Sequence, residues 1–355
     1  SHEIVDFCND KNIVFGKNGS GKTSMIEAIF MLTHGRSFRS SDSFIPLYGQ
    51  DYFSLKGEVG QKDARHTIEQ VYSKSKKKKR IRIDNVLLRN SVNLDMLKTV
   101  LFVQDDLSLL DGAPDIKRRF LDTLFMQVDK KYYQTLNKYQ KILESRNFVL
   151  KQDESSQKEK NLEILDQPLV EYGSFLISKR VQYINCLSVL FSRQRKQREI
   201  KEHLTLAYGN DILESYSGDK DNDINHIASR FFRILHHNRK KEKLSGFTLF
   251  GPHRDNLIFK NERGIEAKEV LSAGEKKKMV LVMKFSEFEF LSQKTGQCPI
   301  VLMDDIFIEL DDQNTHIFQK WINSLRAQFI ITAREKDKFQ SIEFKKEISL
   351  NGKNL

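Results

Sequence analysis

Two short segments near opposite ends of the chain carry residue types suited to phosphate chemistry. Residues 16–23 read GKNGSGKT and fit the pattern Gly-x-x-x-x-Gly-Lys-Ser/Thr. Glycines let backbone N–H groups curl round phosphate oxygens, and the start of a following helix adds its positive dipole end. Lys22 would then reach the β- and γ-phosphates, and the Thr23 hydroxyl would ligate Mg²⁺. The alternative is a glycine-rich turn without a ligand.

The second segment is an apolar run, residues 300–303, that ends in two adjacent carboxylates, Asp304 and Asp305. A charge at the end of a buried strand is costly unless a cation or hydrogen-bond donors meet it. Ligands bind at the carboxyl ends of parallel strands, so a strand beside the phosphate loop would bring these acids to the same site. We expect Asp304 to hold Mg²⁺ and Asp305 to polarise the attacking water; a helix-capping role for one of them is the alternative.

A third segment, Leu-Ser-Ala-Gly-Glu at residues 271–275, precedes three lysines. Ser and Gly before a helix make an N-terminus that attracts anions, although an ordinary helix cap has the same pattern. Together with the other two segments it resembles the ABC-type signature loop, which faces the γ-phosphate of a nucleotide held by a second subunit. The residues predicted to bind the nucleotide are Gly16, Lys17, Asn18, Gly19, Ser20, Gly21, Lys22, Thr23, Ser24, Ser272 and Gly274.

These segments require a framework of strands and helices. In the first part of the chain we expect strands at 12–15, 53–59, 65–72 and 99–103, a helix at 22–32 and a hairpin turn at Asp84 and Asn85. In the last part we expect strands at 247–250, 257–259, 300–304 and 328–332, a turn at 261–264, and helices from about Glu275 and at 313–325. Between them, apolar residues recur at helical spacing.

Strand–helix alternation at both ends of a helical middle predicts one α/β lobe built from the two termini. We assign residues 1–115 and 245–355 to this lobe, which would hold all three chemical segments. Residues 116–244 are predicted to form an inserted helical arm domain.

Composition favours a polyanionic partner. The 355-residue chain carries 59 Lys and Arg against 48 Asp and Glu, a net charge of +11. Nucleic acid is the leading partner and an anionic membrane surface the lesser one, while a solvated basic surface is the alternative. The almost solidly basic residues 74–82 leave the same choice open between DNA contact and a solvated tip. Three scattered cysteines favour a reducing cytoplasm, and no apolar stretch is long enough for a membrane helix.

The combination of motifs resembles the RecF family of bacterial recombination mediators, which is related to the ABC and SMC ATPase heads. The resemblance covers essentially the whole chain. Beyond the phosphate loop it is carried by residues 35–39 (GRSFR), by residues 251–255 (GPHRD), and by Asp304 and Asp305 with residues 309–311 (ELD), which match Walker B and the D-loop.

Four residues depart from the family's pattern. Gln104 and Asp105 stand where the family usually has Pro-Glu, so that Gln104 could act as an ABC-like Q-loop residue that senses the metal and the attacking water. Glu275 ends the signature segment where the family usually has Gln, and Asn256 replaces the last acid of the family's GPHRDD motif.

The resemblance implies an α/β fold of the ABC-ATPase/SMC-head type and an enzyme that hydrolyses ATP slowly, with Mg²⁺ and with stimulation by DNA. It implies ATP-driven homodimerisation on double-stranded, gapped DNA in recombinational repair and replication restart, with RecO and RecR as partner proteins. The catalytic residues it implies are Lys22, Gln104, Ser272 and Asp305, and the implied metal ligands are Thr23, Gln104 and Asp304. An ABC transporter subunit, a short SMC-like chromosome organiser and a non-hydrolysing scaffold are the alternatives.

Overall fold

The computed structural model describes residues 4–61, 64–88, 96–213, 223–305, 312–334, 339 and 341–350. The chain divides into two compact units, one from residues 1–107 and 277–355 and the other from residues 108–276. The strands are β1 (Lys11–Phe15), β2 (Tyr52–Gln61), β3 (Ala64–Ser73), β4 (Lys78–Ile83), β5 (Val86–Leu87), β6 (Thr99–Phe102), β7 (Thr205–Gly209), β8 (Asn256–Lys260), β9 (Ile300–Met303), β10 (Phe329–Ala333) and β11 (Lys346–Ser349). The α-helices are α1 (Lys22–His34), α2 (Pro114–Val128), α3 (Lys130–Leu150), α4 (Ser156–Gln197), α5 (Ile224–Ser245), α6 (Ala267–Val270), α7 (Ala273–Thr295) and α8 (Asp312–Ser324).

A parallel sheet forms the centre of the first unit, in the order β11-β1-β10-β9-β6. Its inner strands are mostly apolar, apart from Lys11 and Asn12 of β1 and Thr332 of β10, because both faces of a parallel sheet are covered. Val14, Leu302 and Ile330 pack with Ile26 and Phe30 of α1 in one buried cluster. The mixed α/β fold with a parallel sheet that the sequence predicts is therefore confirmed.

An antiparallel sheet in the same unit has the order β2-β3-β4-β5. The predicted turn at Asp84 and Asn85 joins β4 to β5, and both residues have positive φ, 49° and 65°. A two-residue hairpin turn of this kind needs positive φ at both positions, which Asn and Asp adopt more readily than other non-glycine residues.

The second unit is mainly helical, with α2 to α6 and the short antiparallel pair β7-β8. β7 is a strand inside the stretch expected to be helical. Residues 245–276, expected in the α/β lobe, lie in this second unit. They are bound there because β8 pairs with β7 and because buried Arg180 of α4 donates to the Asp255 carboxylate at 2.5 Å.

The strand expected at residues 247–250 is wrong, because the side chains of neighbouring helices take up its backbone donors. Thr248 N donates to Asn147 Oδ1 at 2.8 Å, and Leu249 N donates to Glu242 Oε1 at 2.8 Å. The segment is therefore an irregular connection without a strand partner among the described residues. Among the helices that the structure describes, none combines the length and apolar composition that a bilayer crossing requires.

Candidate functional site

Residues 16–21 form a tight loop between β1 and α1, and its glycines are needed for different reasons. Gly19 and Gly21 have φ of 76° and 94°, in the left-handed region that favours glycine. A Cβ on Gly16 would lie 2.6 Å from the carbonyl oxygen of Leu350. Gly21 caps α1 without a side-chain hydrogen bond, so the backbone N–H groups at this helix start are available to an anion.

Lys22 lies inside this loop, with only 4% of its surface exposed. Its Nζ donates to the carbonyl oxygens of Gly16 at 2.8 Å and Lys17 at 3.2 Å. The same ammonium is 3.9 Å from Oδ2 of Asp305. The loop cation therefore lies between the phosphate loop and the acid pair.

The two predicted segments meet directly. Thr23 Oγ1 donates to Oδ1 of Asp304 at 3.1 Å. Because β1 and β9 are both parallel neighbours of β10, the loop after β1 and the acids after β9 leave the sheet at the same edge. Asp304 N donates to Phe102 O at 2.9 Å and continues the pairing with β6 by one residue.

Thr332 of β10 is a site residue that the sequence analysis did not single out. Its hydroxyl lies 2.9 Å from Asp304 Oδ1 and accepts a hydrogen bond from Asp305 N at 2.9 Å. The side chain is 1% exposed. A polar residue near the end of the otherwise apolar strand FIITA was the signal available in the sequence.

Asp305 has an unusual backbone and an unusual environment. Its φ is 49°, which is uncommon for a residue with a side chain. Burial raises the pKa of its carboxyl; Lys22 opposes the rise and Asp304 adds to it. Its Oδ1 is buried and accepts no hydrogen bond from the described residues. Asp305 therefore has a buried acceptor atom without a donor among the described residues and an increased tendency to hold a proton.

The residues present fit a nucleotide with Mg²⁺. The buried Ser20 hydroxyl, on the loop itself, also has no hydrogen-bond partner in the described part of the chain. The oxygens of Thr23 and Asp304 are hard ligands of the kind that Mg²⁺ prefers, and Mg²⁺ commonly takes one or two protein ligands with phosphates and water. Within the described ranges no cluster of three or more His, Cys, Asp and Glu forms a separate metal site.

Gln104 follows β6 at the same edge of the sheet. Phe102 pairs with Met303 in register, so Gln104 and Asp304 each come just after paired strand ends. Gln104 is exposed and begins a short 3-10 helix, Gln104–Ser108. The structure thus places Gln104 at the edge that carries the acids; its contact with metal or water stays a prediction.

A buried ion pair holds that 3-10 helix in place. Lys284 of α7 donates to Leu101 O at 2.7 Å and pairs with Asp106 at 3.0 Å and Glu287 at 3.2 Å. Asp106 also accepts from Val103 N at 2.8 Å. Burial raises the pKa of Glu287 to about 7, against the effect of Lys284. These contacts hold in place the backbone of the 3-10 helix that begins at Gln104.

Ser272 and Gly274 lie in the second unit, at the start of α7. Ser272 N and Oγ donate to Glu275 Oε2 at 2.8 and 2.7 Å, and Glu275 N donates back to Ser272 Oγ at 3.4 Å. This reciprocal pair is a capping box, so the segment is a helix cap in the folded chain. Ser272 is exposed. Its role towards a second subunit stays a prediction, and residues 309–311, predicted as the D-loop, lie outside the described residues.

The GPHRD segment forms the buried centre of the second unit. A Cβ on Gly251, whose φ is 134°, would lie 2.4 Å from Tyr139 Oη. Arg180 donates to Pro252 O at 2.6 Å as well as to Asp255. Burial raises the pKa of Asp255 to about 6, and Arg180 opposes that rise. Two roles were open for His253, a structural role in the turn and contact with a partner. Its buried contacts to Tyr139 and Thr248 correspond to the structural role.

Comparisons with known proteins show which family and which fold this chain shares. The model of the RecF/RecN/SMC N-terminal domain family matches residues 1–353. The DNA replication and repair protein RecF of Ligilactobacillus salivarius is 32% identical over 352 residues, 97% of this chain and 90% of that protein. A solved structure of the recombination mediator RecF with ATP, from the RecFOR pathway, is 30% identical with a TM-score of 0.83, over 94% of this chain and 88% of that one. An SMC head bound to a domain of ScpA shares the fold, with a TM-score of 0.51 at 15% identity over 95% of this chain and 86% of that one.

Proposed function

The chain belongs to the RecF family, and from that premise we propose that it is an ATP-dependent, DNA-binding recombination mediator that acts in DNA repair in the cytoplasm. ATP would bind at residues 16–24 and would be hydrolysed there to ADP and phosphate. The relatives named RecF carry the DNA replication and repair role in their names, and a solved relative is described with ATP.

One observation carries the proposal for ATP. Thr23 and Asp304 are 281 residues apart in the chain and yet hydrogen-bonded, while Lys22 lies against Asp305. A hydroxyl, a carboxylate, an ammonium and a second carboxylate therefore converge at the start of α1. This set is what hydrolysis of a phosphoanhydride requires, since such catalysis is positioning plus electrostatic stabilisation.

Each residue has a separate task. The N–H groups of the loop would cradle the phosphates, and Lys22 would neutralise charge that develops on the γ-phosphate. Mg²⁺, held by Thr23 and Asp304, would supply further neutralisation of the phosphate oxygens when bound. Asp305 would orient the attacking water, and its raised pKa makes it a better acceptor for the proton of that water. Gln104 would help to place the same water.

We propose that a second copy of the chain completes the site. Ser272 and Gly274 of that copy would face the γ-phosphate, so that ATP joins two chains on double-stranded, gapped DNA and slow, DNA-stimulated hydrolysis releases them. RecO and RecR are the proposed protein partners, on the strength of the family. ATP would then act as a timer for the mediator on DNA.

Solution mass of the full chain with ATP, with ADP and without nucleotide tests this proposal. We expect a dimer of the wild type only with ATP. Lys22→Met keeps an apolar stem but removes the ammonium, so it should stay monomeric in every state. Asp305→Asn keeps its shape and should remain dimeric with ATP for longer than the wild type. ATP-dependent dimerisation of Lys22→Met at the wild-type level would show that the phosphate-loop assignment is wrong.

A further inference from the structure

The turn between β3 and β4 carries the densest group of basic side chains in the antiparallel sheet of the first unit. Lys74, Lys76, Lys77, Lys78 and Arg80 are all exposed, and we refer to these five residues as the basic hairpin. In the part of the chain that the structure describes, no salt bridge is formed by any of them. Their charges are therefore open to a partner.

The neighbouring basic residues Lys79 and Arg82 differ from these five, because both have partners within the unit. Lys79 points to the other face of β4 and binds Gly35 O at 2.7 Å and Asp42 Oδ2 at 2.5 Å. Arg82 pairs with Glu69 across the strands at 3.8 Å. Lys79 thus anchors the hairpin to the body of the unit, while Lys78 and Arg80 stand on its outer face.

Asp51 fixes the shape of the turn. Its carboxylate accepts from Ser75 N at 2.7 Å, from Ser75 Oγ at 2.8 Å and from Ser73 Oγ at 2.9 Å, and its carbonyl oxygen accepts from Lys74 N at 2.7 Å. These hydrogen bonds, first of all those from Ser75, lower the pKa of the Asp51 carboxyl, and the charge of nearby Lys76 acts in the same direction. The same hydrogen bonds restrain the backbone of the turn, so less backbone conformational entropy is lost when the lysines bind.

The outer face around the hairpin suits a phosphate backbone. Lys78 and Arg80 lie on one side of β4 and are about 7 Å apart along the strand. The facing residues at this end of the sheet are Ser73, Val71, Ser54 and Tyr52, none of them acidic. The acids of the same outer face, Glu58 and Glu69, lie towards the other end of the sheet, opposite Thr67 and Lys56.

We propose that the basic hairpin is a contact surface for the sugar–phosphate backbone of double-stranded DNA. The turn itself is Lys-Ser-Lys-Lys, without an apolar side chain to enter a lipid interface, which favours a nucleic acid over a membrane. Cations in this arrangement bind phosphates without reading bases, so the contact is independent of sequence. The choice of DNA rests on the proposed function; the location of the surface rests on the hairpin.

A salt titration of duplex binding measures this contact directly. The variant Lys76→Gln, Lys77→Gln, Lys78→Gln removes three charges and none of the anchors. Each lost phosphate contact should lower the slope of log affinity against log salt by about 0.9, and three by about 2.7. A matched control, Lys160→Gln, Lys240→Gln, Lys241→Gln, removes three exposed charges from the second unit and should leave the slope unchanged.

Two outcomes would overturn the hairpin assignment alone. The first is an equal salt slope for the hairpin variant and the wild type, while both still dimerise with ATP. The second is a decrease of the salt slope in the control variant as large as that in the hairpin variant. A wild type that binds no duplex in any nucleotide state would overturn the proposed function. Vesicles with anionic lipid form the second arm: loss of vesicle binding with unchanged duplex binding would assign the hairpin to a membrane instead.

Discussion

Thr332 shows how one side chain sets the geometry of two others. Its hydroxyl has one proton, which is best placed for Asp304 at 2.9 Å, and its lone pairs accept the Asp305 N–H at 2.9 Å. The second contact helps to hold Asp305 in a left-handed conformation, which costs roughly 1–2 kcal/mol for a residue with a Cβ. Strain of this kind is kept where it directs a side chain into a functional site.

Thr332→Val should separate this role from simple stability. Valine has the same shape but leaves the partly buried Asp305 N–H without its acceptor, which costs about 1–3 kcal/mol. We expect lower ATP turnover and a higher Mg²⁺ concentration for half-maximal turnover, because Asp304 is no longer oriented. Turnover measured against Mg²⁺ checks this, and Thr332→Ser should restore it.

Thr33→Val is a matched control, since it removes another buried hydroxyl that donates to Phe30 O within α1. It should lower the urea midpoint without changing the Mg²⁺ requirement. The same Mg²⁺ requirement in Thr332→Val and the wild type would show that Thr332 does not position the acids.

Single residues were predictable where chemistry leaves few choices. A loop that must approach phosphates needs glycine at Gly19 and Gly21 and a cation at Lys22, so its pattern is visible in the sequence. Thr332 was not predictable in the same way, because its function depends on which strand lies beside β9. That neighbour is a property of the sheet order, which comes from tertiary packing.

At the scale of elements, the start of α7 combines a structural and a proposed functional role. Ser272 and Glu275 cap the helix reciprocally. The cap orients the helix start, and the exposed Ser272 is the position at which we propose contact with a second copy. A substitution there changes both properties at once, so the two effects need separate variants.

Ser272→Arg should bind ATP as a monomer and fail to dimerise, because its bulk and charge occupy the place proposed for the partner's nucleotide. Ser272→Ala loses the capping hydroxyl and its proposed contact with the γ-phosphate but adds neither bulk nor charge, so it should cost about 1 kcal/mol of stability while dimerising better than the arginine variant. Solution mass with ATP and a urea titration of each variant measure the two effects.

Mixing Ser272→Arg with Lys22→Met extends this test to the two-chain site. Each heterodimer would keep one complete site, with Lys22 from one chain and Ser272 from the other. DNA-stimulated turnover should therefore recover partly in the mixture. Full turnover by Ser272→Arg alone would show that the segment is a helix cap and nothing more.

Elements were predictable where one periodicity dominates. The strands β1, β9 and β10 were expected within about one residue of their observed ends, as is common for boundaries, because each is a short apolar run between turns. The pattern wrongly predicted a strand at residues 247–250. These residues are mostly apolar, but the backbone N–H groups of Thr248 and Leu249 donate to the side chains of Asn147 and Glu242. Periodicity cannot detect such partners, since they come from other helices.

At the scale of the whole molecule, we expect stability to depend on the protonation of buried titratable groups in the second unit. His253 Nε2 lies 3.0 Å from Thr248 O and Nδ1 lies 2.7 Å from Tyr139 Oη. A neutral ring satisfies both, with a proton on Nε2 for the carbonyl and a free Nδ1 for the tyrosine hydroxyl. Burial lowers the pKa of His253 to about 4, and nearby Arg254 and Arg118 contribute.

Acid should therefore weaken the fold through His253. Its pKa is lowered from 6.5 to about 4 on folding, so the unfolded chain takes up the proton first and the free energy of unfolding falls as pH falls through this window. The raised pKa of Asp255 acts in the opposite direction, so the His253 effect must be read as a difference between variants.

In His253→Gln, an amide can serve both partners without titrating, and the urea midpoint of this variant should fall less than that of the wild type between about pH 7 and pH 5. His236→Gln, at an exposed position of α5, should follow the wild type. Parallel midpoint curves for His253→Gln and the wild type would show that this ring does not link the fold to pH.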